Sequence, residues 1–158
     1  MKPPTHKQKI QEEFTKQARA YASNAAISDG DRLLRLVNAV NPDPSARVLE
    51  IATGPGYVAM AFAERCREVI GVDLTEAPLV IAEENRRARG INNVTFRLAD
   101  ADQLQFADGE LDVVVCRLAI HHFEFPEATL KEMTRVCRAD GLVAIEDLAV
   151  SEHPGRAD

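Results

Sequence analysis

The sequence predicts an α/β protein built on a doubly wound, mostly parallel sheet of about five strands. Beyond residue 44, short apolar runs alternate with stretches whose apolar residues recur at helical spacing. Strands that alternate with helices pair in parallel through right-handed crossovers, which places helices on both faces of the sheet. The length of 158 residues suits one domain, and a hydrophobic fraction of 46% suffices for a packed core.

The predicted strands are short and rich in Val, Ile and Leu, as is typical of strands that are covered on both faces. They are expected over 47–51, 68–73, 94–98, 111–116 and 142–148. The intervening helices are expected over 56–66, 76–89 and 126–138. Thr75 is expected to cap the second of these helices and Gly90 to end it.

Residues 1–44 are expected to form a helical segment ahead of the sheet domain, which would cover residues 45–158. In a helix over 7–22, Phe14 and Tyr21 would share one face with Ala18. A second helix is expected to begin at Ser28, whose hydroxyl can cap it, and to end before the prolines at 42 and 44.

The composition argues against several classes of protein. There are 19 basic and 25 acidic side chains, and a net charge of −6 does not favour a nucleic-acid partner. The three cysteines include no C-x-x-C pair, which argues against a disulfide framework, and no third ligand accompanies His121 and His122 to make a metal site. The sequence shows no signal peptide and no apolar run near the roughly 20 residues that span a bilayer. We therefore expect a cytoplasmic protein that does not enter membranes.

Polar residues and glycines follow the predicted strands, where doubly wound sheets bind their ligands. Strand one leads into Ala52-Thr53-Gly54-Pro55-Gly56, whose glycines let a ligand approach the backbone. Strand two ends in Asp73, whose carboxylate can accept two hydrogen bonds from a ribose diol, and strand three leads into Asp100-Ala101-Asp102. Each of these residues also has a purely structural interpretation. Asp73 could cap the next helix, and Glu50 could simply be a polar residue at the end of a strand. Asp100, and above all Asp102, could be solvated acids in a loop.

The segment from Val48 to Ala59, together with 69–74, 100–101 and 117–122, resembles class I S-adenosylmethionine-dependent methyltransferases. Within these it is similar to the small-molecule group that includes the ubiquinone/menaquinone-biosynthesis C-methyltransferases, over roughly residues 10 to 150. That family's loop reads E/D-x-G-x-G-x-G. Here Ala52 stands at the first glycine, a variant that is familiar in the quinone group. The resemblance implies a Rossmann-like sheet of strand order 3-2-1-4-5 and residues 1–44 as a helical cap over the cofactor.

The resemblance also implies a cofactor, S-adenosylmethionine, with S-adenosylhomocysteine as the product. Glu50 would be the acidic first residue of the cofactor-binding loop. After it, Ala52, Gly54 and Gly56 would pack against the methionine and ribose portions of the cofactor. Asp73 would hold the ribose hydroxyls, and Leu74 would lie against the adenine.

The remaining cofactor contacts follow from the same resemblance. Asp100 would accept a hydrogen bond from the adenine amino group, and the Ala101 N–H would donate to the ring. The carbonyl near Cys116 or Arg117 would receive the methionine ammonium. Phe14 and Tyr21 would close over the methionine end, although an ordinary amphipathic helix face explains that pair equally well.

The expected reaction is in-line displacement of the methyl group by a small-molecule acceptor. Because the sulfonium is already activated, the protein mainly aligns the acceptor and excludes water. An oxygen or carbon acceptor that loses a proton also needs a base, for which His121 and His122 after strand four are candidates. A structural role for the pair is the alternative.

The sequence departs from the family after strand five. There the family sheet continues into an antiparallel hairpin of strands six and seven, whereas this sequence ends at Asp158. We therefore expect the hairpin and its share of the acceptor pocket to be missing. The exposed apolar edge Leu142–Leu148 would favour pairing with another copy, in a homodimer or an extended assembly.

Two other functions compete with methyl transfer. A module that holds the cofactor without catalysis would explain the missing hairpin. An NAD-dependent oxidoreductase would explain Gly54-x-Gly56-x-x-Ala59 followed by Asp73 near the usual spacing of about 20 residues. A pyrophosphate site, however, requires neither Glu50 nor Asp100-Ala101.

Overall fold

The computed structural model describes residues 3–148, and its sheet has five parallel strands in the order β3-β2-β1-β4-β5. The strands are β1 (Arg47–Ile51), β2 (Glu68–Asp73), β3 (Val94–Leu98), β4 (Leu111–Arg117) and β5 (Cys137–Glu146). The predicted fold class and strand order are confirmed. Because the order reverses between β1 and β4, a crevice forms beside their carboxyl ends.

Helices cover both faces of this sheet. They are α1 (His6–Ala22), α2 (Ala25–Ser28), α3 (Gly30–Val40), α4 (Tyr57–Ala63), α5 (Glu76–Ala88) and α6 (Pro126–Val136), with a 3₁₀ turn at Ile120–His122. Within the described residues, no helix is long and apolar enough to cross a membrane.

The strand residues alternate between two apolar layers. Val48 of β1 packs with α3 and α4 through Val37 and Phe62 on one face. Leu49, the next residue, packs on the other face with Met133 of α6. Helix α1 lies against α5, where Ala18 and Ala22 meet Ile81. All these core side chains are at most 9% exposed, so the sheet is a rigid base for the loops at its carboxyl edge.

Two helix starts differ from the prediction. Ser28 is the last residue of α2, and Asp29 caps α3 instead, with its Oδ1 accepting from the N–H groups of Asp31 and Arg32. A carboxylate there also complements the positive end of the helix dipole. Thr75 precedes α5 as predicted, but its side chain makes no capping bond; Asp73 Oδ1 accepts the Thr75 N–H at 2.9 Å.

Strand β5 begins at Cys137, five residues earlier than predicted, and ends at Glu146. Cys137 pairs with Leu111 and Leu142 with Val113, so the residues between them form an irregular section opposite Asp112. Arg138, in that section, reaches the Asp112 carboxylate at 2.9 Å. The sequence pattern reads as a turn because this section does not alternate regularly.

Glu50, at the end of β1, anchors the glycine loop to the sheet. Its side chain is buried, and Oε2 accepts from the Thr53 hydroxyl at 2.6 Å and from the Ala59 N–H of α4 at 2.8 Å. Gly71 on the adjacent strand gives Thr53 room, since a Cβ there would lie 2.6 Å from the Thr53 Oγ1. Burial raises the pKa of Glu50 to about 8, although both hydrogen bonds act in the opposite direction.

We predict that Glu50→Gln removes a pH-dependent loss of stability. Between its ordinary pKa of 4.5 and the folded value of about 8, Glu50 keeps a proton in the folded state that the unfolded chain releases. The free energy of unfolding therefore falls as the pH rises through this interval. Glutamine keeps the accepting oxygen and cannot ionise, so the variant should gain on the parent protein by on the order of a few kcal/mol at pH 8.

The measurement is urea unfolding at pH 5 and pH 8, with Glu12→Gln on the exposed face of α1 as the control. Parallel pH profiles for Glu50→Gln and the parent protein would contradict a protonated, buried Glu50.

Candidate functional site

One pocket lies at the carboxyl edge of the sheet, beneath helix α1. The structure brings eight of the predicted cofactor residues to its wall: Phe14, Tyr21, Ala52, Gly54, Asp73, Leu74, Asp100 and Ala101. His122 also lines this pocket, whereas Glu50, Gly56, Arg117 and His121 do not. The loops after β1, β2, β3 and β4 therefore meet at one cavity, as the parallel topology requires.

The glycine loop has a left-handed backbone at three alternate residues. Ala52, Gly54 and Gly56 have φ values of 55°, 52° and 80°. Ala52 adopts this conformation at a cost of roughly 1–2 kcal/mol, which explains why glycine suits the same position in the family loop. Gly56 lies away from the pocket and serves packing, since a Cβ there would be 2.6 Å from the Phe96 ring.

Asp73 connects the glycine loop to the start of α5. Its Oδ2 accepts the Gly54 N–H at 2.9 Å, and its Oδ1 accepts the Thr75 N–H at 2.9 Å. Burial raises the pKa of this carboxyl group, while the backbone donors partly oppose the shift. A carboxylate offers about four lone-pair sites, so Asp73 keeps acceptor capacity for hydroxyl donors from the pocket. Its bond from the Thr75 N–H forms a turn ahead of α5, which has no side-chain cap.

The acidic loop after β3 is tied to α1 through Lys7. The Lys7 Nζ lies 2.8 and 2.6 Å from the two carboxylate oxygens of Asp100, and 2.7 Å from Asp102 Oδ2. Asp102 also accepts from the Thr129 hydroxyl at 2.6 Å, so the expectation of a solvated Asp102 was wrong. The sequence does not identify Lys7 as a site residue, because no local pattern relates it to the loop after β3, 93 positions along the chain.

Arg117 points away from the main pocket. Its side chain is 3% exposed, pairs with Glu146 at 2.7 Å and donates to the Ile27 carbonyl at 3.2 Å. With Glu50 it borders a smaller side cavity. That cavity shares Tyr21, Ala52, Gly54 and Leu118 with the main pocket, so the two cavities are adjacent.

The two adjacent histidines have different surroundings. The His122 ring meets Phe14 edge-on, with centroids 5.2 Å apart, and its carbonyl accepts from His6 Nε2 at 2.8 Å. Burial and the neighbouring His121 lower the pKa of His122, which favours the neutral ring. The Nδ1 of His121 lies 2.6 Å from Asp147 Oδ1, and its ring centroid is 4.0 Å from that of His122. The Asp147 carboxylate fixes the orientation of the His121 ring through Nδ1, and the other ring nitrogen, Nε2, does not take part in this contact.

Comparison with known proteins assigns a family to this arrangement. The profile of the methyltransferase domain family matches residues 49–145, from the middle of β1 to the end of β5. A ubiquinone/menaquinone biosynthesis C-methyltransferase of Bdellovibrio bacteriovorus is 34% identical over 142 residues, covering 86% of this chain and 60% of the relative.

An uncharacterized methyltransferase of Bacillus subtilis, YcgJ, is 32% identical over 141 residues, covering 89% of this chain and 56% of YcgJ. The crystal structure of YcgJ superposes with a TM-score of 0.74 at 33% identity, over 78% of this chain and 53% of that one. An S-adenosylmethionine-dependent methyltransferase of Aquifex aeolicus shares the fold, with a TM-score of 0.77 at 18% identity over 90% and 77% of the two chains.

The chain spans little more than half the length of these two curated relatives. The region matched by the family profile contains β2, β3 and β4, most of β1 and β5, and the loops after β1 to β4 that line the pocket below α1. The chain belongs to the methyltransferase domain family, as a class I S-adenosylmethionine-dependent methyltransferase.

Proposed function

We propose that this chain binds S-adenosylmethionine in the pocket below α1 and transfers its methyl group to a small-molecule acceptor. The main support for this proposal is the Asp73 carboxylate. It accepts hydrogen bonds from the Gly54 and Thr75 N–H groups and keeps lone pairs that can accept from a ribose diol. Leu74 and Ala101 line the same cavity, and both would contact the adenine in this proposal. In this proposal α1 is the part of the 1–44 segment that covers the cofactor.

The methionine end would extend towards the side cavity between Glu50 and Arg117. This end carries both an ammonium and a carboxylate, and the cavity is bordered by one buried acid and one buried guanidinium. The Arg117 guanidinium would attract the carboxylate of the ligand where water is excluded, whereas protonated Glu50 would offer hydrogen bonds and no charge. Phe14 and Tyr21 stand edge to face, 5.6 Å apart, along the α1 side of this path.

A dinucleotide suits the same loop less well. Pyrophosphates bind at a helix N-terminus through free backbone N–H groups. Here the Gly54 N–H is already donated to Asp73, and the Ala59 N–H at the start of α4 is donated to Glu50. Two acidic side chains therefore occupy donors that a diphosphate would need, and the Asp73 carboxylate would also repel its charge.

We predict that Asp73→Ala lowers the affinity for S-adenosylhomocysteine about tenfold or more, because hydrogen bonds to a charged group are lost. Isothermal titration calorimetry with S-adenosylmethionine, S-adenosylhomocysteine and NAD measures this directly. Asp31→Ala, an exposed residue of α3, is the matched control. Asp73→Asn, which keeps one accepting oxygen, covers the case in which the alanine variant does not fold. Binding of NAD in place of the adenosyl ligands, or full affinity of folded Asp73 variants, would contradict the proposal.

For the acceptor we propose a small molecule with a nucleophilic carbon, as the name of the Bdellovibrio C-methyltransferase suggests. A phenolic hydroxyl that loses its proton makes such an acceptor electron-rich, and a base near neutral pH suits that step. His121 combines a carboxylate partner in Asp147 with a position beside His122, whose ring lines the pocket. We infer that His121 is the better candidate base, and that His122 shapes the pocket wall.

We expect His121→Gln to lower the single-turnover rate of methyl transfer by roughly 10²-fold or more, with the affinity for S-adenosylhomocysteine unchanged. The assay follows labelled methyl transfer to reduced demethylmenaquinone, with His122→Gln as the paired variant. Equal rates for both variants and the parent protein would remove both histidines from the chemistry. Tight cofactor binding without transfer to this acceptor would instead favour the cofactor-holding module.

Self-association is a separate proposal, based on the outer edge of the sheet. Within residues 3–148, β5 pairs only with β4, and Leu142 and Ile145 are 43% and 45% exposed. An uncovered apolar edge favours pairing with a second copy of the chain. Light scattering at high concentration should therefore give a dimer mass that Leu142→Lys reduces, and a monomeric parent protein would contradict it.

A further inference from the structure

The first two turns of α1 contact each of the loops that follow β2, β3 and β4. Gln11 Nε2 donates to the Leu74 carbonyl at 2.9 Å, and His6 Nε2 donates to the His122 carbonyl at 2.8 Å. Between these lies the ion pair of Lys7 with the loop after β3. Only the Lys7 contact is made by full charges on both sides, so its removal changes the electrostatics of the pocket as well as one hydrogen bond.

Lys7 holds two like charges close together. Its ammonium bonds both Asp100 and Asp102, whose side chains are 35% and 22% exposed. The Asp102 N–H also donates to Asp100 Oδ1 at 3.1 Å, which closes a tight turn around Ala101. Without the ammonium the two carboxylates would repel each other in a partly desolvated site, and the turn would open.

The pKa values agree with this geometry. Burial disfavours the charged form of Lys7, yet its hydrogen bonds to the two aspartates raise its pKa above the usual range. Burial likewise opposes the charge on Asp102, yet its hydrogen bonds from Lys7 and Thr129 lower its pKa. Both shifts favour the ionised forms of Lys7 and Asp102.

We propose that Lys7 is the positioning residue of the adenine end of the pocket, setting Asp100 and the Ala101 turn while it holds α1 closed above them. This inference rests on the proposed S-adenosylmethionine site. It adds that the closure of α1 over the pocket and the ordering of the Asp100–Asp102 loop are coupled, because the Lys7 side chain connects the two segments. Lys7 does not itself contact the reacting atoms.

A distinctive consequence concerns the exocyclic amino group of adenine. If Asp100 accepts from that group, the protein prefers S-adenosylhomocysteine to S-inosylhomocysteine, which has a carbonyl oxygen there. Lys7→Met should reduce this preference roughly three- to tenfold, because a mobile Asp100 no longer discriminates between a donor and an acceptor. A merely structural role of Lys7 would weaken both ligands equally and leave the ratio unchanged.

The experiment compares the two affinities by calorimetry in the parent protein, Lys7→Met, Lys7→Arg and Lys9→Met. Lys9 lies exposed on the same helix and serves as the control for lost charge. Lys7→Arg should restore the preference, since a guanidinium can bond two carboxylates. An unchanged preference in Lys7→Met, or an equal loss in Lys9→Met, would overturn the proposal.

Hydrogen exchange of the ligand-free proteins separates this inference from the proposed cofactor. Lys7→Met should increase the exchange of amides in the first turns of α1 and in residues 99–104, whereas Lys9→Met should not. Unchanged exchange would overturn the coupling even if the parent protein binds S-adenosylhomocysteine. If the parent protein binds neither ligand, the cofactor proposal fails, and this arm still decides whether Lys7 holds the two segments together.

Discussion

The Asp73 carboxylate is the interaction on which the rim of this sheet depends. One side chain at the end of β2 accepts the Gly54 N–H of the loop after β1 and the Thr75 N–H at the start of α5. Two loops from neighbouring strands are thereby held at a fixed distance with their backbones facing the pocket. The same bonds consume a donor that a diphosphate would use and leave acceptor capacity for hydroxyl groups. The choice of ligand class thus follows from how the loop is held.

Much of this arrangement is readable from the sequence because it depends on local patterns. The parallel sheet follows from the alternation of apolar runs and helices, its strand order follows from the family resemblance, and Asp73 stands out because it ends a buried strand. Parallel strands then bring the residues after each strand to one edge without further information. Glu50 was also found from its position, although its bonds to Thr53 and Ala59 make it a loop anchor outside the main pocket.

The features that the sequence hides depend on contacts between distant segments. Lys7 and Asp100 are 93 positions apart, and the Arg117 side chain reaches a carbonyl 90 positions away in α2. Neither the direction of a long side chain nor its partner follows from spacing along one element. The early start of β5 was missed for a related reason, since its first residues pair across an irregular section. Asp29 caps α3 instead of Ser28 because Ser28 is the last residue of the short helix α2, which the sequence pattern does not reveal.

The proposed cofactor half of the site is formed by more of the predicted residues than the proposed acceptor half. Most residues predicted to contact the adenosyl group line one cavity, whereas the proposed acceptor side includes only His121 and its partner Asp147, near the end of the described chain.

A crystal structure of the protein with S-adenosylhomocysteine would show directly whether Asp73 binds the ribose. We expect both ribose hydroxyls within hydrogen-bond distance of the Asp73 carboxylate, with the adenine between Leu74 and Ala101. A ligand bound elsewhere, or a ribose without contact to Asp73, would contradict it.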